Sequence, residues 1–267
     1  FLRVVWVELE RMESHLLWLG LLCDSFGFES LFMQTWRLRE IDMDLTELTA
    51  GIRVIPSTCS IGGVRRDIDK EMAGQVKEGL DKFKELMDST VLPTIMNDLT
   101  IKRRTVEKGI LTKEQVNLLG AVGPTLRGSG VPLDIRMTGY AAFKEIGFEP
   151  IVEEAGDSYA RTLVRVRETF QSRKLILKAL SMMPDGDIMV RIDGYPEREA
   201  ISRTEQPRGE LIYYARGNGT RNLERLKIRT PTFANIPALL AMLPGCELAD
   251  VPVITLSIDP CIACTER

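Results

Sequence analysis

The sequence has no run of eighteen apolar residues, and its 267 residues carry a net charge of only −3. The first absence excludes a membrane-spanning helix, which needs about twenty mainly apolar residues in succession. The second leaves no bulk electrostatic attraction to nucleic acid, so we expect no nucleic-acid partner. Repeats and low-complexity stretches are also lacking. The apolar share of 44% is ordinary for a globular protein with a substantial core.

Cysteine and histidine are scarce, with five and one residues respectively. An odd number of cysteines without framework spacing favours a reducing compartment over a secreted, disulfide-bonded protein. His15 lies between Met12 and Leu19 on one face of a predicted helix, which indicates a hydrogen-bonded core histidine rather than a ligand. Three cysteines are predicted to be buried apolar side chains: Cys23, Cys59 and Cys246.

Helical spacing of apolar residues dominates the first two thirds of the chain. Thr112 is a predicted N-cap with Gln115 at its third position, and Pro93 is predicted to mark the end of a long helix because the residue before a proline avoids the helical conformation. The predicted helices cover about 1–24, 29–50, 69–91, 99–107, 113–120, 140–146, 158–183 and 233–243.

The spacing changes beyond residue 186, where alternating apolar residues predict strands. The alternation covers 188–192 and 211–215, with turns at 193–194 and 217–219, and Leu226–Arg229 is a candidate edge strand. We therefore predict one domain over 1–267, mainly α with a small antiparallel β insertion near its end.

The last ten residues, Ile258–Arg267, hold two thiols on a turn that begins with Pro260. Cys261 and Cys264 can direct both sulfurs at one metal, and thiolate suits zinc, nickel and iron. An isolated pair with this spacing is equally consistent with half of a zinc site or with a redox dithiol. The zinc interpretation needs a second ligand pair, which this sequence lacks.

The flanking residues make the interpretation more specific. Asp259 and Pro260 precede the pair, and Thr265–Arg267 follow it. Together they resemble the C-terminal nickel-binding motif of nickel–iron hydrogenase large subunits, in particular the membrane-bound, energy-converting group related to complex I. Five further segments are similar to signatures that these hydrogenases share with the complex I 49 kDa subunit: Leu9–Gly20, Ile61–Asp67, Leu126–Arg136, Pro207–Glu210 and Lys227–Asn235. The resemblance implies the fold of these subunits, and only the terminal thiols separate a hydrogenase from the complex I relatives.

The resemblance implies a nickel–iron centre with carbon monoxide and cyanide ligands on the iron. Cys261 would be a terminal nickel ligand, and Cys264 would bridge nickel and iron. The family takes two more thiolates from an early cysteine pair, so we expect that an N-terminal part with this pair is missing from the sequence, which begins at Phe1. A chain that ends at Arg267 resembles the form left after a maturation endopeptidase has removed a C-terminal extension.

The same resemblance assigns roles around the metals. Arg208, which follows Pro207, would lie over the metals and donate to a cyanide, and a guanidinium suits this role because it stays charged and has five donors. Thr232, which follows Pro231, would donate to a second cyanide. Asp259 would pair with Arg208 and orient it.

Simpler interpretations remain for these residues. Arg208 would form a surface salt bridge to Glu205 or Glu210, Thr232 would cap the helix that starts near residue 233, and Asp259 would serve the turn before a proline. Four other arginines are predicted to be structural or interface charges: Arg65, Arg66, Arg127 and Arg136.

The first functional hypothesis is the catalytic large subunit of an energy-converting nickel–iron hydrogenase. The expected partners are a small subunit with an iron–sulfur cluster, integral membrane subunits and ferredoxin, on the cytoplasmic side of the cell membrane. The second hypothesis is a complex I-like, quinone-reducing subunit without a metal site. The third is a structural zinc site or a redox dithiol.

Overall fold

The computed structural model describes residues 1–266, so the expectation of a processed C-terminus, which rests on Arg267, lies outside the described residues. The described chain is mainly helical with small antiparallel sheets, as predicted. Its helices are α1 (Leu2–Asp24), α2 (Glu29–Ala50), α3 (Lys70–Leu86), α4 (Leu92–Asn97), α5 (Leu99–Thr105), α6 (Lys113–Leu118), α7 (Pro124–Arg127), α8 (Phe143–Ile146), α9 (Ser158–Ser181), α10 (Pro231–Met242), α11 (Val251–Ser257) and α12 (Ile262–Thr265).

Helix α1 lies at the centre of the main core, where it packs against α2, α9 and α11. Its apolar residues cover more than one face, and Leu9, Met12 and Trp18 are all buried. The Trp18 indole also donates to the Leu256 carbonyl of α11 at 2.5 Å, which satisfies its buried N–H. Each such side chain contributes about 1.5–3 kcal/mol by burial, so α1 is a rigid support for the groups on its surface.

The prediction that Pro93 ends the long helix was wrong. A π-helical turn, Met87–Val91, follows α3 and leads directly into α4. Pro93 lies in the first turn of α4, where a missing N–H costs no intrahelical hydrogen bond. The capping box predicted at Thr112 and Gln115 is confirmed by both of its hydrogen bonds.

The strands form two antiparallel sheets, a hairpin of β1 (Cys59–Ser60) with β2 (Gly63–Val64) and a sheet of β3 (Glu199–Gln206), β4 (Gly209–Arg216) and β5 (Arg225–Arg229) in that order. The predicted strands at 211–215 and at Leu226–Arg229 are confirmed. Gln206 pairs with Gly209, so only Pro207 and Arg208 connect β3 to β4. This tight connection fixes where the arginine leaves the sheet.

The strand predicted over 188–192 was wrong. This segment makes only an isolated bridge, between Met189 and Gly63, beside the first hairpin. Val190 and Ile192 remain exposed. Alternation predicts a strand when one face is buried, and in this segment only Ile188 packs against the core.

The prediction of three buried cysteines is confirmed only for Cys23. Cys246 is partly buried, and Cys59 is exposed on the short strand β1. None of the helices within residues 1–266 combines the length and the apolar character of a membrane-spanning segment.

The prediction of a hydrogen-bonded core histidine is confirmed. His15 is buried in α1, and its Nε2 lies 2.9 Å from Glu168 Oε2 on α9. Burial lowers the pKa of His15 to about 4, although Glu168 opposes this shift. Folding therefore favours the neutral imidazole.

Acidification is expected to destabilise the fold through His15. Between pH 6.5, the ordinary pKa of histidine, and pH 4 the unfolded chain binds a proton that the folded chain does not, so the free energy of unfolding falls as the pH falls. The loss approaches about 3 kcal/mol across this range, and about 2 kcal/mol of it occurs between pH 7 and pH 5. His15→Gln keeps a donor for Glu168 and should lose less stability between these two pH values, as measured by urea unfolding. Equal losses in both proteins would contradict this assignment.

Candidate metal centre at the C-terminal cysteine pair

A backbone reversal after α11 presents the two C-terminal thiols. Asp259 has a φ of 55°, in the left-handed region, and turns the chain away from the helix. The amides of Cys264 and Thr265 both donate to the Cys261 carbonyl, at 3.1 and 3.2 Å, and start the short helix α12. Both cysteines therefore lie in one turn, where burial and the neighbouring Cys261 thiol raise the pKa of Cys264 to about 11.

Two threonines at the start of α10 hold the backbone of this turn. Thr232 is fully buried, and its hydroxyl accepts the Cys261 amide at 3.2 Å. Thr230 caps α10 by accepting the Phe233 amide at 3.4 Å, and its own hydroxyl donates to the Cys264 carbonyl. Thr232 is therefore not the helix cap. Its hydroxyl proton is directed to no acceptor among the described residues, which leaves it free for a ligand.

Arg208 reaches this turn from the connection between β3 and β4. Its Nε donates to the Asp259 carbonyl at 2.9 Å, and its Nη2 lies 3.0 Å from Asp259 Oδ1. Its Nη1 donates to Ser14 Oγ on α1 at 3.3 Å. The guanidinium is thus fixed between the central helix and the cysteine turn.

The alternative salt bridges of Arg208 do not form. Glu210 contacts Arg203 and Arg229, and Glu205 contacts Arg127. Both carboxylates are therefore already neutralised by other cations.

Asp259 is almost completely buried beside two arginines. Burial raises its pKa, while Arg208 and Arg165 oppose the shift. Its Oδ2 has no hydrogen-bond partner among the described residues. Arg165 is itself buried over the Trp18 ring, 4.3 Å from its centroid. The carboxylate thus orients Arg208 with one oxygen and keeps the other free.

A cavity of about 310 Å³ lies in front of this arrangement. Arg208 and Cys264 line it together with Glu13 of α1 and Arg39 of α2. The remaining lining residues are Glu10, Ser14, Leu17, Val54, Ile55, Gln206, Pro207, Leu211, Thr230 and Pro231. The structure therefore brings Arg208, Pro207, Pro231 and Cys264 to one cavity.

The other three sequence-predicted site residues, Cys261, Asp259 and Thr232, are linked to the lining of that cavity by hydrogen bonds. A larger cavity of about 590 Å³, between the start of α1 and the end of α9, contains none of the seven. Ser14 and Thr230 are contacts that the sequence analysis did not identify. The Thr-Pro sequence at the start of α10 is a usual cap signal that points to Thr230, whereas nothing in the local sequence points to Ser14.

The donor chemistry fits one side of a soft-metal centre. Two cysteines lie in one turn next to a fixed guanidinium, and thiolates select nickel, iron or zinc over hard cations. Within residues 1–266, no three or more side chains of His, Cys, Asp or Glu cluster as a ligand set. The pair would therefore supply half of a four-thiolate site.

Glycine packing fixes the position of the arginine turn. Gly123 and Gly209 have φ values of 66° and 129°, and their backbones touch. A Cβ on Gly123 would lie 2.4 Å from the Arg208 carbonyl oxygen. No larger residue fits there without moving the connection that carries Arg208.

Gly123→Ala is expected to destabilise the protein more than Gly120→Ala does. The two glycines have nearly the same φ, 66° and 65°, but a Cβ on Gly120 would meet nothing within 4 Å. The two variants share the strain of a left-handed alanine, about 1–2 kcal/mol, and only Gly123→Ala adds about 1–3 kcal/mol of overpacking. Urea unfolding of both variants measures the difference. Equal losses would show that the backbone contact is not close.

A fully buried ionic cluster lies beneath the arginine turn. Arg127 Nη1 contacts Glu205 Oε1 at 2.8 Å and Asp134 Oδ2 at 3.0 Å, and its Nη2 contacts Glu168 Oε1 at 2.7 Å. Glu205 lies near the end of β3, two residues before Pro207. The prediction that Arg127 is a structural charge is confirmed.

The same prediction, of structural or interface charges, was made for three other arginines. Arg136 is buried against Asp134 and Glu8, so it too is structural. Arg65 and Arg66 are exposed.

Comparison with known proteins supports the family indicated by these features. Residues 25–195 and 192–267 match the family described as the 49 Kd subunit of respiratory-chain NADH dehydrogenase. The carbon monoxide-induced hydrogenase of Rhodospirillum rubrum is 39% identical over 269 residues, which cover 100% of this chain and 74% of the relative. The membrane-bound hydrogenase subunit alpha of Pyrococcus furiosus is 36% identical over 285 residues, which cover 100% of this chain and 66% of the relative.

A third relative carries a different name. The F(420)H(2) dehydrogenase of Methanosarcina mazei has a subunit that is 34% identical over 277 residues, which cover 100% of this chain and 74% of the relative. The chain thus spans between 66% and 74% of the length of these three relatives. It belongs to the family of the 49 kDa subunit of respiratory complex I, which includes subunits of complex I-related hydrogenases.

Proposed function

We propose that this chain is the catalytic large subunit of a membrane-bound, energy-converting nickel–iron hydrogenase, which interconverts H2 with protons and electrons. One observation carries the proposal: Arg208 and Cys264 line one cavity, and the Cys261 carbonyl accepts the Cys264 amide in the same turn. The hydrogenases of Rhodospirillum rubrum and Pyrococcus furiosus, at 39% and 36% identity, support the same assignment.

A nickel–iron centre with carbon monoxide and cyanide on the iron would supply the cleavage and formation of the H–H bond. Cys261 and Cys264 would hold it through thiolate sulfur. Because the pKa of Cys264 is raised to about 11, its thiol is protonated at neutral pH, and metal loading releases that proton.

The remaining predicted site residues would hold and orient the groups around the metal centre. Arg208 holds a permanent charge at the cavity wall, and its bonds to Asp259 and Ser14 keep the guanidinium in one orientation. The free hydroxyl proton of Thr232 suits donation to a cyanide. Pro207 and Pro231 line the cavity without N–H groups, so they shape the wall without competing as donors.

The proposed partners follow from electron and ion flow. An iron–sulfur cluster in a small subunit would carry electrons to or from ferredoxin, and integral membrane subunits would couple the reaction to ion movement. The chain would then be a peripheral subunit on the cytoplasmic side of the cell membrane, loaded with nickel before a maturation endopeptidase acts.

A second candidate is a complex I-like, quinone-reducing subunit that retains the two cysteines without a metal. Two observations favour it: the family match, and the 34% identity to a component of an F(420)H(2) dehydrogenase. The described chain also supplies no more than two thiols for a metal site.

Metal analysis of the complete complex, purified from its native membrane, distinguishes the two candidates. The hydrogenase proposal expects stoichiometric nickel and H2-dependent reduction of a viologen dye. A complex without nickel that reduces a quinone would refute the hydrogenase and support the second candidate.

A further inference from the structure

The side of the cavity formed by α1 carries acidic groups that the proposed function does not use. Glu13 on α1 is buried, lines the cavity and accepts a hydrogen bond from Arg39 Nη2 at 2.6 Å. Asp42, three residues beyond Arg39 on α2, is 1% exposed. Neither carboxylate oxygen of Asp42 has a hydrogen-bond partner within residues 1–266. A buried carboxylate without partners is costly, so burial favours the protonated, neutral form of Asp42.

The two carboxyl groups influence each other's charge. Burial, reinforced by the like charge of Glu13, raises the pKa of Asp42 well above its usual range, and Arg39 opposes this shift. Burial also raises the pKa of Glu13, and Arg39 again opposes it. Neighbouring carboxyl groups in such surroundings do not both ionise readily, so they hold one proton between them.

We infer that Glu13 and Asp42 form an acid–base pair that exchanges protons with the cavity, with Asp42 holding the proton and Glu13 transferring it at the cavity wall. The inference rests on the proposed function, because oxidation of H2 releases two protons and two electrons, and H2 formation consumes them. The electrons leave through the small subunit, and the protons need a separate acceptor at the wall.

The position of each group suits this transfer. During H2 formation, the proton held by Asp42 passes to the Glu13 carboxylate, and Glu13 gives it to the cavity. A proton from solvent then returns to Asp42 through Glu13. Glu10, one turn earlier on the same face of α1, is exposed and lines the same cavity, so it connects Glu13 to solvent. During H2 oxidation the same protons move outward.

The charged surroundings keep the proton mobile. Besides Arg39, the positive charge of Arg53 acts on Glu13, and Arg11 and Arg208 act on Glu10. Each of these positive charges favours the carboxylate form of the glutamate on which it acts. Helix α3, which also packs on α2, buries only apolar side chains: Val76, Leu80 and Phe83.

Glu13→Gln in the complete complex tests the transfer step. H2-dependent dye reduction is expected to fall about 100-fold, because a positioned acid–base group contributes at least this factor. Nickel content and the infrared bands of carbon monoxide and cyanide should stay unchanged, and Glu13→Asp should restore part of the rate. The matched control is Glu40→Gln, an exposed glutamate 2.7 Å from Arg53, which should keep the wild-type rate. A Glu13→Gln complex with the wild-type rate would overturn the inference.

Asp42→Asn tests the stored proton without hydrogen turnover. Infrared spectroscopy of the wild-type complex at pH 7 should show a carbonyl-stretch band of a protonated carboxyl group, and Asp42→Asn should remove it. In the active complex the same variant should shift the pH profile of turnover. If the complex held no nickel, the proposed function would fail, but this band would still decide whether the pair holds a proton. A band that is absent in the wild type, or that persists in Asp42→Asn, would overturn the inference.

Discussion

Replacing Cys261 or Cys264 by serine is expected to reduce nickel binding and hydrogen turnover to background. A serine hydroxyl is a hard, protonated group at neutral pH and does not replace a thiolate on a soft metal. The measurement is nickel content and H2-dependent dye reduction of each variant complex, compared with the wild type.

The chain offers matched controls for this exchange. Cys59→Ser and Cys246→Ser change the same atom at an exposed and at a partly buried position, neither of which lines the cavity. Both variants should keep their nickel and their activity. If Cys261→Ser or Cys264→Ser kept normal nickel and turnover, the hydrogenase proposal would be untenable.

Arg127→Met is expected to lower the free energy of unfolding by about 3–5 kcal/mol. Removing this cation leaves the carboxylates of Glu168, Glu205 and Asp134 buried with one neutralising partner fewer. The loss of one partner from a buried ionic cluster costs far more than the cluster itself contributes to stability. Urea unfolding at neutral pH measures the effect.

The control for this variant is Arg167→Met on α9. Arg167 pairs with Glu153, but its side chain is 55% exposed. An exposed pair contributes about 0–1 kcal/mol, so the same exchange should be nearly neutral there. Similar losses in both variants would show that the buried cluster does not depend on Arg127.

The cluster also connects stability to the site. Glu205 precedes the Pro207–Arg208 connection by two residues, and Arg11 donates to the Glu205 and Gln206 carbonyls at 2.8 and 3.1 Å. Movement of Glu205 in Arg127→Met would therefore displace Arg208. Signature segments far apart in the sequence, Leu9–Gly20, Leu126–Arg136 and Pro207–Glu210, meet in this cluster.

Local patterns predicted the elements whose stability is decided locally. The helical spacing in α1 and α9 and the capping box at Thr112 depend on residues within a few positions, and the structure confirms them. The prediction of a strand over 188–192 was wrong because a strand needs a partner strand and a covered face, and the segment's own sequence specifies neither. The prediction that Pro93 ends the long helix was wrong because proline is also favoured in the first turn of a helix.

The candidate site was predictable only in part for the same reason. The resemblance placed Arg208 and the two cysteines in one site. The structure brings Arg208 and Cys264 to one cavity, with Cys261 hydrogen-bonded to Cys264, while their roles toward a metal stay predictions. Ser14 and the pair of Glu13 and Asp42 could not be predicted, because their meaning depends on which faces of α1 and α2 meet. Burial of Asp42 without partners is a tertiary property that no local pattern reports.

The anchoring of the cysteine turn has a consequence for maturation. The hydroxyls of Thr230 and Thr232 already bond the backbone at Cys264 and Cys261, so the turn adopts its shape without a metal. Ordering a free tail would cost about 1–2 kcal/mol of backbone entropy for each residue. Here that cost is met when α10 folds, so under the proposed function an incoming nickel ion would encounter a preorganised binding surface instead of a disordered peptide.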